Sequence, residues 1–390
     1  MKWTTKPGGL NIVVSGGVAG VPEQAGIAWV MLQYLLGLRR LGHGVFFIDP
    51  LAPEALTPPG SSLGASANAA SFHRLMAEFG FDDASSLLMT DGSHTTVGQP
   101  YDAVKEIVAQ ADILLDISGK LRDPDLLAAA SRAVYLDIDP AFTQLWQHAQ
   151  GIDMGFDGHS DFVTVGVNIG QPGCPVPTLG LDWLPTLQPV VLERWPLAPP
   201  ARGGALTTIA NWRGYGSIEH EGVFYGQKVH ALRELITLPT LTPEVFELAL
   251  GIDAGEVKDL AALAANRWQV VDPAAVAGTP AAYQSFIYRS KAEFGFAKTG
   301  YVASRCGWFS DRSICYLASG RPVIAQDTGL GGVLPTGRGL LTFSTIPDVL
   351  NAIASLNENY EDHVHGARAL AEEHFDSDRV LGRLLSRLGA

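Results

Sequence analysis

The chain has 390 residues, of which 47% are apolar and 17% are charged. This length exceeds a typical domain of about 150 residues, so we expect two domains, and the composition is that of a folded protein. The formal net charge of −13 disfavours a nucleic-acid-binding protein, because such proteins carry a basic surface that meets the phosphates. Three cysteines are too few for a disulfide framework or a cysteine-rich zinc site.

The N-terminus has no apolar core of the kind found in signal peptides. The most apolar helical segment, residues 26–38, is too short to cross a bilayer. We therefore expect a cytoplasmic protein without a transmembrane segment, and the sequence leaves its oligomeric state open.

The N-terminal half alternates short apolar runs with helical periodicity. Residues 10–50 predict a strand, a glycine-rich turn, an amphipathic helix and a second strand. Further elements follow: strands at 111–117, 133–138 and 161–168, a helix around 72–79, and a loop at 90–98. This alternation is typical of a parallel sheet covered by helices. We therefore predict a Rossmann-like domain over residues 1–185.

Prolines concentrate between residues 172 and 200, which predicts an extended connection because proline lacks a backbone donor. We place the linker at residues 186–203. The alternation then resumes and predicts a second domain over 204–370. A last helix, at 371–390, either stays there or returns to the N-terminal domain. The predicted fold class is α/β, with two Rossmann-like domains that face a central cleft.

The stretch CGWFSDRSICYLASGRPVIAQDTG, from Cys306 to Gly329, predicts a helix that begins at Ser310–Ser313 and stops before Pro322. The first turn of a helix binds phosphate through its unpaired N–H groups and its dipole. The side chains of Ser310, Arg312 and Ser313 would add hydrogen-bond donors. The alternative is that Ser310 or Asp311 only caps the helix.

A strand is predicted next, at residues 323–325, and it ends in Gln326, Asp327 and Thr328. These polar groups follow the carboxyl end of a strand, the edge at which open α/β sheets bind their ligands. The helix start and the strand end together predict a binding site for a nucleotide or a nucleotide sugar.

Three short motifs in this region occur in a characteristic order: GWFSDRS at 307–313, YLASGRPVI at 316–324 and DTG at 327–329. Together they resemble the C-terminal donor-site signature of GT-B glycosyltransferases, while the N-terminal half matches only as a fold-level pattern. The resemblance implies that the C-terminal half binds a nucleotide-activated sugar and the N-terminal half an acceptor. It also implies transfer in the cleft without a required metal or other cofactor.

The chain departs from this signature at one position. Many members carry a glutamate on the signature helix that holds the nucleotide ribose, and Cys315 stands there, with Gly307 eight residues earlier. Neither residue can replace a carboxylate, so Asp311 is the nearest candidate for that contact.

The segment Asn211-Trp212-Arg213-Gly214-Tyr215 resembles the loop that meets the donor diphosphate in this fold, and Lys228 begins the next helix. Cationic groups such as Arg213 and Lys228 would offset the charge that develops on a leaving diphosphate. The alternative is that Tyr215 packs and that Lys228 is solvated. The charges of Lys291, Glu293 and Lys298, around a later strand, are typical of a solvent face.

The run from Ser15 to Gly20 is one substitution away from the dinucleotide fingerprint, with Asp49 at the end of the next strand. Its turn is longer than usual, and Asp49 lies further on than the customary distance of about 20 residues. A dehydrogenase therefore stays an alternative. The family resemblance implies instead that Gly16, Gly17 and Glu23 face the acceptor.

Asp137 and Asp139 end a strand and are spaced as a metal-binding pair would be. The pair is equally typical of the polar end of a strand, and we predict no metal site. Asp139 is a candidate general base for an acceptor hydroxyl. His159 is the other candidate, with Asp157 or Asp161 to orient it.

The leading hypothesis is a glycosyltransferase of the hexosyltransferase type, with a nucleotide sugar and a small-molecule or glycan acceptor as its partners. A nucleotide-sugar epimerase or hydrolase would use the same donor cleft. A dinucleotide-dependent oxidoreductase and a catalytically silent binding protein are the remaining alternatives.

Overall fold

A computed structural model describes residues 5–390. The N-terminal half forms one sheet of eight strands in the order β4-β3-β2-β1-β5-β6-β7-β8. Its strands are β1 (Asn11–Ser15), β2 (Gly44–Leu51), β3 (Ser85–Met89), β4 (Thr96–Gly98), β5 (Ile113–Ile117), β6 (Ala133–Asp137), β7 (Asp161–Thr164) and β8 (Trp183–Pro185). All neighbours are parallel except the antiparallel pair β3 and β4. The central strands are mostly apolar and almost entirely buried because helices cover both faces.

Within the described part of this half there are five α-helices: α1 (Ala25–Leu41), α2 (Ala67–Phe79), α3 (Tyr101–Ala109), α4 (Pro124–Ala129) and α5 (Phe142–Gln150). Helix α1 ends at Gly42, whose φ of 98° is the left-handed conformation that glycine adopts at low cost. The predicted loop at 90–98 contains the edge strand β4, which at three residues is too short to show a periodicity. Strand β7 is shorter than the predicted 161–168 and ends at Thr164.

The proline-rich region is extended, but it is packed against both halves. It includes β8, an edge strand that ends in Pro185, as is typical of proline in sheets. Within the predicted linker, the N–H of Val190 donates to the oxygen of Phe375 at 2.7 Å. Trp195 is fully buried, and its ring lies 4.8 Å from that of Trp29.

The C-terminal half contains β9 (Leu206–Asn211), β10 (Ile218–His220), β11 (Val223–Tyr225), β12 (Phe246–Gly251), β13 (Gln269–Val271), β14 (Ala292–Gly295), β15 (Val323–Gln326) and β16 (Leu340–Phe343). Strands β10 and β11 form a separate hairpin. The other six make an all-parallel sheet in the order β13-β12-β9-β14-β15-β16. This order, with the first strand at the centre, is that of a doubly wound Rossmann-like domain.

Nine helices belong to this half: α6 (Lys228–Glu234), α7 (Val257–Ala265), α8 (Pro273–Ala277), α9 (Pro280–Tyr288), α10 (Thr299–Ser304), α11 (Asp311–Ala318), α12 (Ile346–Glu358), α13 (Tyr360–Leu370) and α14 (Ser377–Arg387). Helix α11 begins where the sequence predicts, with Ser310 at its N-cap position. Helix α14 lies against α1: a Cβ atom on Gly37 would come within 2.6 Å of Leu381 Cδ1.

The carboxyl ends of the two sheets face each other. Asn168, after β7, donates from Nδ2 to the carbonyl oxygen of Gly329, after β15, at 3.0 Å. Asn211, at the end of β9, approaches Gln24 in the glycine-rich loop at 3.5 Å. The predicted α/β fold, two Rossmann-like domains across a cleft, is therefore confirmed. Among the described residues, every helix is too short or too polar to cross a membrane.

Candidate functional site

The start of helix α11 forms one wall of a pocket at the carboxyl edge of the C-terminal sheet. Ser310, Arg312 and Ser313 line it together with residues 295–297 and Gln326. The Ser310 side chain occupies the N-cap position but makes no capping hydrogen bond. Its hydroxyl and the N–H groups of the first turn are thus available to a ligand, and the helix dipole favours an anion.

Arg312 is held by the protein itself. Its Nε donates to Glu293 Oε1 at 2.6 Å, and its Nη1 donates to the carbonyl oxygen of Ile209 at 2.7 Å. Both side chains of this ion pair are buried. Within residues 5–390, no acceptor bonds to the remaining Nη2, so only that nitrogen of Arg312 is left for the predicted ligand contact.

Lys228 is the first residue of α6 and is partly buried. Burial, and then the charge of Arg312, lower the pKa of its ammonium to about 7, against the opposing charges of Asp311, Glu293 and Asp139. In the described part of the chain, no side chain forms an ion pair with Lys228. A cation that burial has made costly, and that has no counter-ion, favours the binding of an anion.

Asp311, in the first turn of α11, belongs to the same group of charges. Burial raises the pKa of its carboxyl, while the charges of Arg312 and Lys228 act in the opposite direction. A buried carboxyl with a raised pKa can donate a hydrogen bond when it is protonated. Asp311 therefore lies close to the anion-binding groups, although nothing in its surroundings identifies a ribose contact.

Arg213 is paired with a carboxylate of its own domain. Its guanidinium pairs with Glu256 and is half exposed. Trp212 is buried, and its Nε1 donates to Asp259 Oδ2 at 3.0 Å, which makes it a packing residue. The two members of the predicted cationic pair therefore differ: Arg213 is neutralised by Glu256, while Lys228 has no ion-pair partner among the described residues.

Gln326 ends β15 and lines the pocket, and Asp327 and Thr328 follow it in the loop. Gln326 Oε1 accepts from the N–H of Ala297 at 3.0 Å. Asp327 Oδ1 accepts from the N–H groups of Gly329 and Leu330 at 2.9 and 3.0 Å, and the Thr328 hydroxyl donates to the carbonyl oxygen of Trp308 at 2.6 Å. Most of their hydrogen-bonding capacity is used within the loop. Among the described residues, the amide nitrogen of Gln326 and Asp327 Oδ2 have no hydrogen-bond partner and are left for a ligand.

A second cluster of polar groups spans the cleft at Asp139. Lys298 Nζ donates to Asp139 Oδ1 at 2.8 Å, and the hydroxyls of Tyr215 and Tyr301 donate to the same oxygen. Tyr215, predicted to contact the donor, thus contacts Asp139. Burial lowers the pKa of Lys298, against the charge of Asp139.

The glycine-rich loop after β1 is tied to Asp49. The N–H groups of Val18 and Ala19 donate to Asp49 Oδ2 at 2.9 and 2.7 Å. In a dinucleotide site, such amides face a pyrophosphate and the acid binds a ribose. Here the amides donate to the acid instead. A Cβ atom on Gly16 would lie 2.3 Å from Met31 Sδ, which explains that glycine by packing.

The other predicted acceptor residues lie at the edge of this loop. Gly17 is next to Asp49, with room for a Cβ atom 4.0 Å from its Oδ1. Glu23 is exposed and adjoins Gln24, which approaches Asn211 of the other domain. Glu23 therefore lies beside the cleft, where its role as an acceptor contact stays a prediction.

His159 does not reach the cleft. Its side chain has no exposed area, and its Nε2 lies 3.3 Å from Asp116 Oδ2, which is equally buried. The ring also packs edge-on against Tyr135 at 5.4 Å. A histidine enclosed in this way cannot meet an acceptor, which corrects its prediction as a base. Asp116, rather than Asp157 or Asp161, is the carboxylate beside it.

The charges around β14 do not form the solvent face that their pattern indicates. Lys291 is buried and pairs with Glu244 at 2.7 Å. Glu293 pairs with Arg312, and Lys298 pairs with Asp139 across the cleft. The alternating charges at this strand therefore do not indicate a solvent face, because each of the three residues has an ion-pair partner that is distant in the sequence.

Cys315, at the position of the ribose-binding glutamate, is buried between α11 and α1. Its sulfur lies 3.9 Å from Gln33 Nε2. Burial raises the pKa of its thiol far above the ordinary value. Within the described residues, no group of three or more His, Cys, Asp or Glu side chains is arranged to hold a metal ion.

No protein-family model and no curated protein matches the sequence. Solved structures do match. An α-glucosyltransferase in complex with UDP and a 13-mer DNA is 11% identical, over 98% of this chain and 100% of that one, with a TM-score of 0.61. HepE of Anabaena in complex with UDP and glucose is 12% identical, over 98% and 100%, with a TM-score of 0.58. Sucrose-phosphate synthase of Thermosynechococcus elongatus is 12% identical, over 97% and 98%, with a TM-score of 0.55.

At these identities the similarity establishes the fold. The chain has the GT-B fold of glycosyltransferases, as the sequence predicts. One of the similar structures contains DNA, so the fold gives no support to the expectation that nucleic acid is not a partner.

Proposed function

We propose that the protein is a glycosyltransferase that moves a sugar from a nucleotide-diphosphate sugar, bound by the C-terminal domain, to an acceptor held by the N-terminal domain. The observation that carries this proposal is the ammonium of Lys228. The charges of Arg312 and Asp311 at the start of α11 and of Asp139 on the other domain act on it, and it forms no ion pair within the described chain.

A leaving nucleoside diphosphate gains negative charge as its bond to the sugar breaks, and groups that stabilise that charge lower the barrier. Lys228, the Ser310 hydroxyl and the first-turn N–H groups of α11 are the groups that we assign to this task. They supply positive electrostatic potential of the kind that a metal ion supplies elsewhere. We therefore propose that transfer needs no metal.

We propose that Asp139 is the base that takes the proton from the acceptor hydroxyl. The acceptor oxygen forms a bond to the anomeric carbon while its proton passes to the Asp139 carboxylate. The bond between that carbon and the diphosphate oxygen breaks, and its electron pair leaves with the nucleoside diphosphate. Asp139 is partly exposed and belongs to the N-terminal domain, on which the acceptor is proposed to bind.

The similar α-glucosyltransferase and HepE structures both contain UDP, so we propose a uridine-diphosphate hexose as the donor class. Calorimetry with UDP, UDP-glucose and the ADP and GDP counterparts tests this proposal, with EDTA present in one series. We expect UDP to bind with EDTA present, and Lys228→Met to weaken that binding at least about tenfold, the loss typical of a charge-assisted contact.

Lys258→Met is the matched control, because Lys258 is an exposed helix lysine of the same domain. It should bind UDP as the unaltered protein does. The proposal is wrong if none of the nucleotides binds, or if the two lysine variants bind equally well. Slow release of UDP with water as acceptor is expected of a transferase, whereas release of UDP and free sugar at a rate that no added acceptor increases would instead favour a hydrolase on the same site.

A further inference from the structure

The Asp139 carboxylate is bound unequally at its two oxygens. Oδ1 accepts from three donors of the other domain: Lys298 Nζ at 2.8 Å and the hydroxyls of Tyr215 and Tyr301. Within residues 5–390, no donor bonds to Oδ2, and 31% of the side chain is exposed. One oxygen is thus held in place while the other is free to accept a hydrogen bond from a ligand.

We propose that Lys298, Tyr215 and Tyr301 are positioning residues, which hold Asp139 so that Oδ2 meets the acceptor hydroxyl. This inference rests on the proposed glycosyl transfer. Because the base lies on one domain and its three donors on the other, the working arrangement exists only when the domains are closed. Acceptor activation is therefore coupled to domain closure.

Electrostatics give Lys298 a specific task. A carboxylate that lies beside a bound diphosphate is repelled by it, and the repulsion is strong where water is excluded. The charge of Asp139 acts on Lys228, and the charge of Asp311 acts on Lys298, so the two lysines and the two acids form one group. The positive charge of Lys228 would offset the charge of the donor diphosphate, while that of Lys298 offsets the charge of the Asp139 carboxylate.

Aromatic rings hold this group together. The Lys298 ammonium lies 3.8 Å from the centre of the Tyr215 ring, a cation–π contact. Trp146 of the N-terminal domain packs against Tyr215, and Trp308 stacks on Tyr301, each with 4.3 Å between ring centres. The donors of the Asp139 carboxylate therefore have little freedom to rotate away.

Gly300 permits the two domains to approach this closely. A Cβ atom there would lie 2.5 Å from Phe142 Cζ on α5 and 3.2 Å from Tyr225 Cβ. Its φ lies outside the left-handed region, so alanine would not strain the backbone. Gly300→Ala thus separates the domains at this point without removing a polar group.

The test compares two quantities in each variant: the Kd for UDP by calorimetry, and the rate of UDP release from saturating UDP-glucose with water as acceptor. For Lys298→Met and Tyr301→Phe we expect a Kd within about threefold of the unaltered protein, because donor contacts are kept. Turnover should fall at least about tenfold, since the base is misplaced. Lys298→Arg should restore part of that loss.

Gly300→Ala should likewise leave the Kd for UDP nearly unchanged and lower turnover. It should also change the fluorescence of Trp146 and Trp308. Gly382→Ala, at a helix position with no atom within 4 Å of the added Cβ, is its control. Equal turnover in Lys298→Met, Tyr301→Phe and the unaltered protein would overturn the inference. If UDP does not bind to the unaltered protein, or if that protein releases no UDP, the proposed function itself fails, which is a distinct result.

Discussion

Arg312 Nε lies 2.6 Å from Glu293 Oε1, and this buried ion pair adjoins the pocket at the start of α11. Glu293 has no exposed area, and its second oxygen has no hydrogen-bond partner among the described residues. Arg312 is thus the principal neutralising group of a buried acid. Its loss should affect folding before it affects any ligand.

We predict that Arg312→Met lowers the free energy of unfolding by about 3–5 kcal/mol, because removal of one partner leaves a buried charge uncompensated. Urea denaturation measures the change. Replacing both partners, as in Arg312→Met with Glu293→Leu, should recover most of the loss.

Arg338→Met serves as the comparison, since Arg338 and Asp362 form an ion pair that is more than half exposed on both sides. Exposed pairs contribute about 1 kcal/mol or less. Similar losses in the Arg312 and Arg338 variants would show that the Glu293 pair is not the buried contact described above.

The Lys228 ammonium should make nucleotide binding depend on pH. Its pKa is about 7, so it is charged below that pH and becomes neutral above it, and an anionic diphosphate should bind more weakly as the pH rises. We expect the affinity of the unaltered protein for UDP, relative to that of Lys228→Met, to fall severalfold between pH 6 and pH 8.5.

Dividing the UDP affinity of the unaltered protein by that of Lys228→Met cancels the effect of UDP protonation, because both proteins bind the same form of the nucleotide at each pH. Calorimetry at three pH values is sufficient. A ratio that stays constant over this range would mean that Lys228 does not titrate there or does not meet the diphosphate.

The local parts of this architecture could be predicted from the sequence, because apolar runs, a helix start and a Gly-x-Pro stop are local signals. Helix α11 and strand β15 follow in the predicted order. The contacts of the site are not local. Lys298 and Asp139 are 159 residues apart, and Arg312 and Glu293 are 19 apart on different elements. Sequence periodicity carries no information about such pairs, which is why the charge pattern around Lys298 indicates a surface residue.

Cys315 gives a prediction about the ribose contact. Its side chain packs between α11 and α1 near Gln33. A carboxylate placed there would be buried, and the cation whose charge acts at this position, Arg312, is already paired with Glu293. We expect Cys315→Glu to destabilise the protein by at least about 2 kcal/mol, and Cys315→Ala to bind UDP with unchanged affinity. Thermal unfolding measures the stability of Cys315→Glu, and calorimetry measures the UDP affinity of Cys315→Ala. Tighter UDP binding by the glutamate variant would show instead that position 315 reaches the ribose.

Asp49 should give the protein a pH-dependent stability. Burial raises the pKa of its carboxyl to about 7, against the hydrogen bonds from Ala19 and Val18. Between the ordinary value of 3.8 and about 7, the folded state therefore holds a proton that the unfolded state has released. By linkage, this group favours folding at low pH, and its contribution declines as the pH rises through that interval.

Asp49→Asn separates this effect from the hydrogen bonds. Both amides donate to the single oxygen Oδ2, which the asparagine carbonyl oxygen can replace, while the charge is removed. We expect the variant to gain stability relative to the unaltered protein as the pH rises from 4 to 7, by about 1–4 kcal/mol at pH 8. Urea denaturation at each pH measures the difference, and the exposed substitution Asp82→Asn should show a change of about 0.5 kcal/mol or less. A difference that does not vary with pH would mean that Asp49 is ionised in the folded protein throughout, and that the glycine-rich loop is held by a full charge.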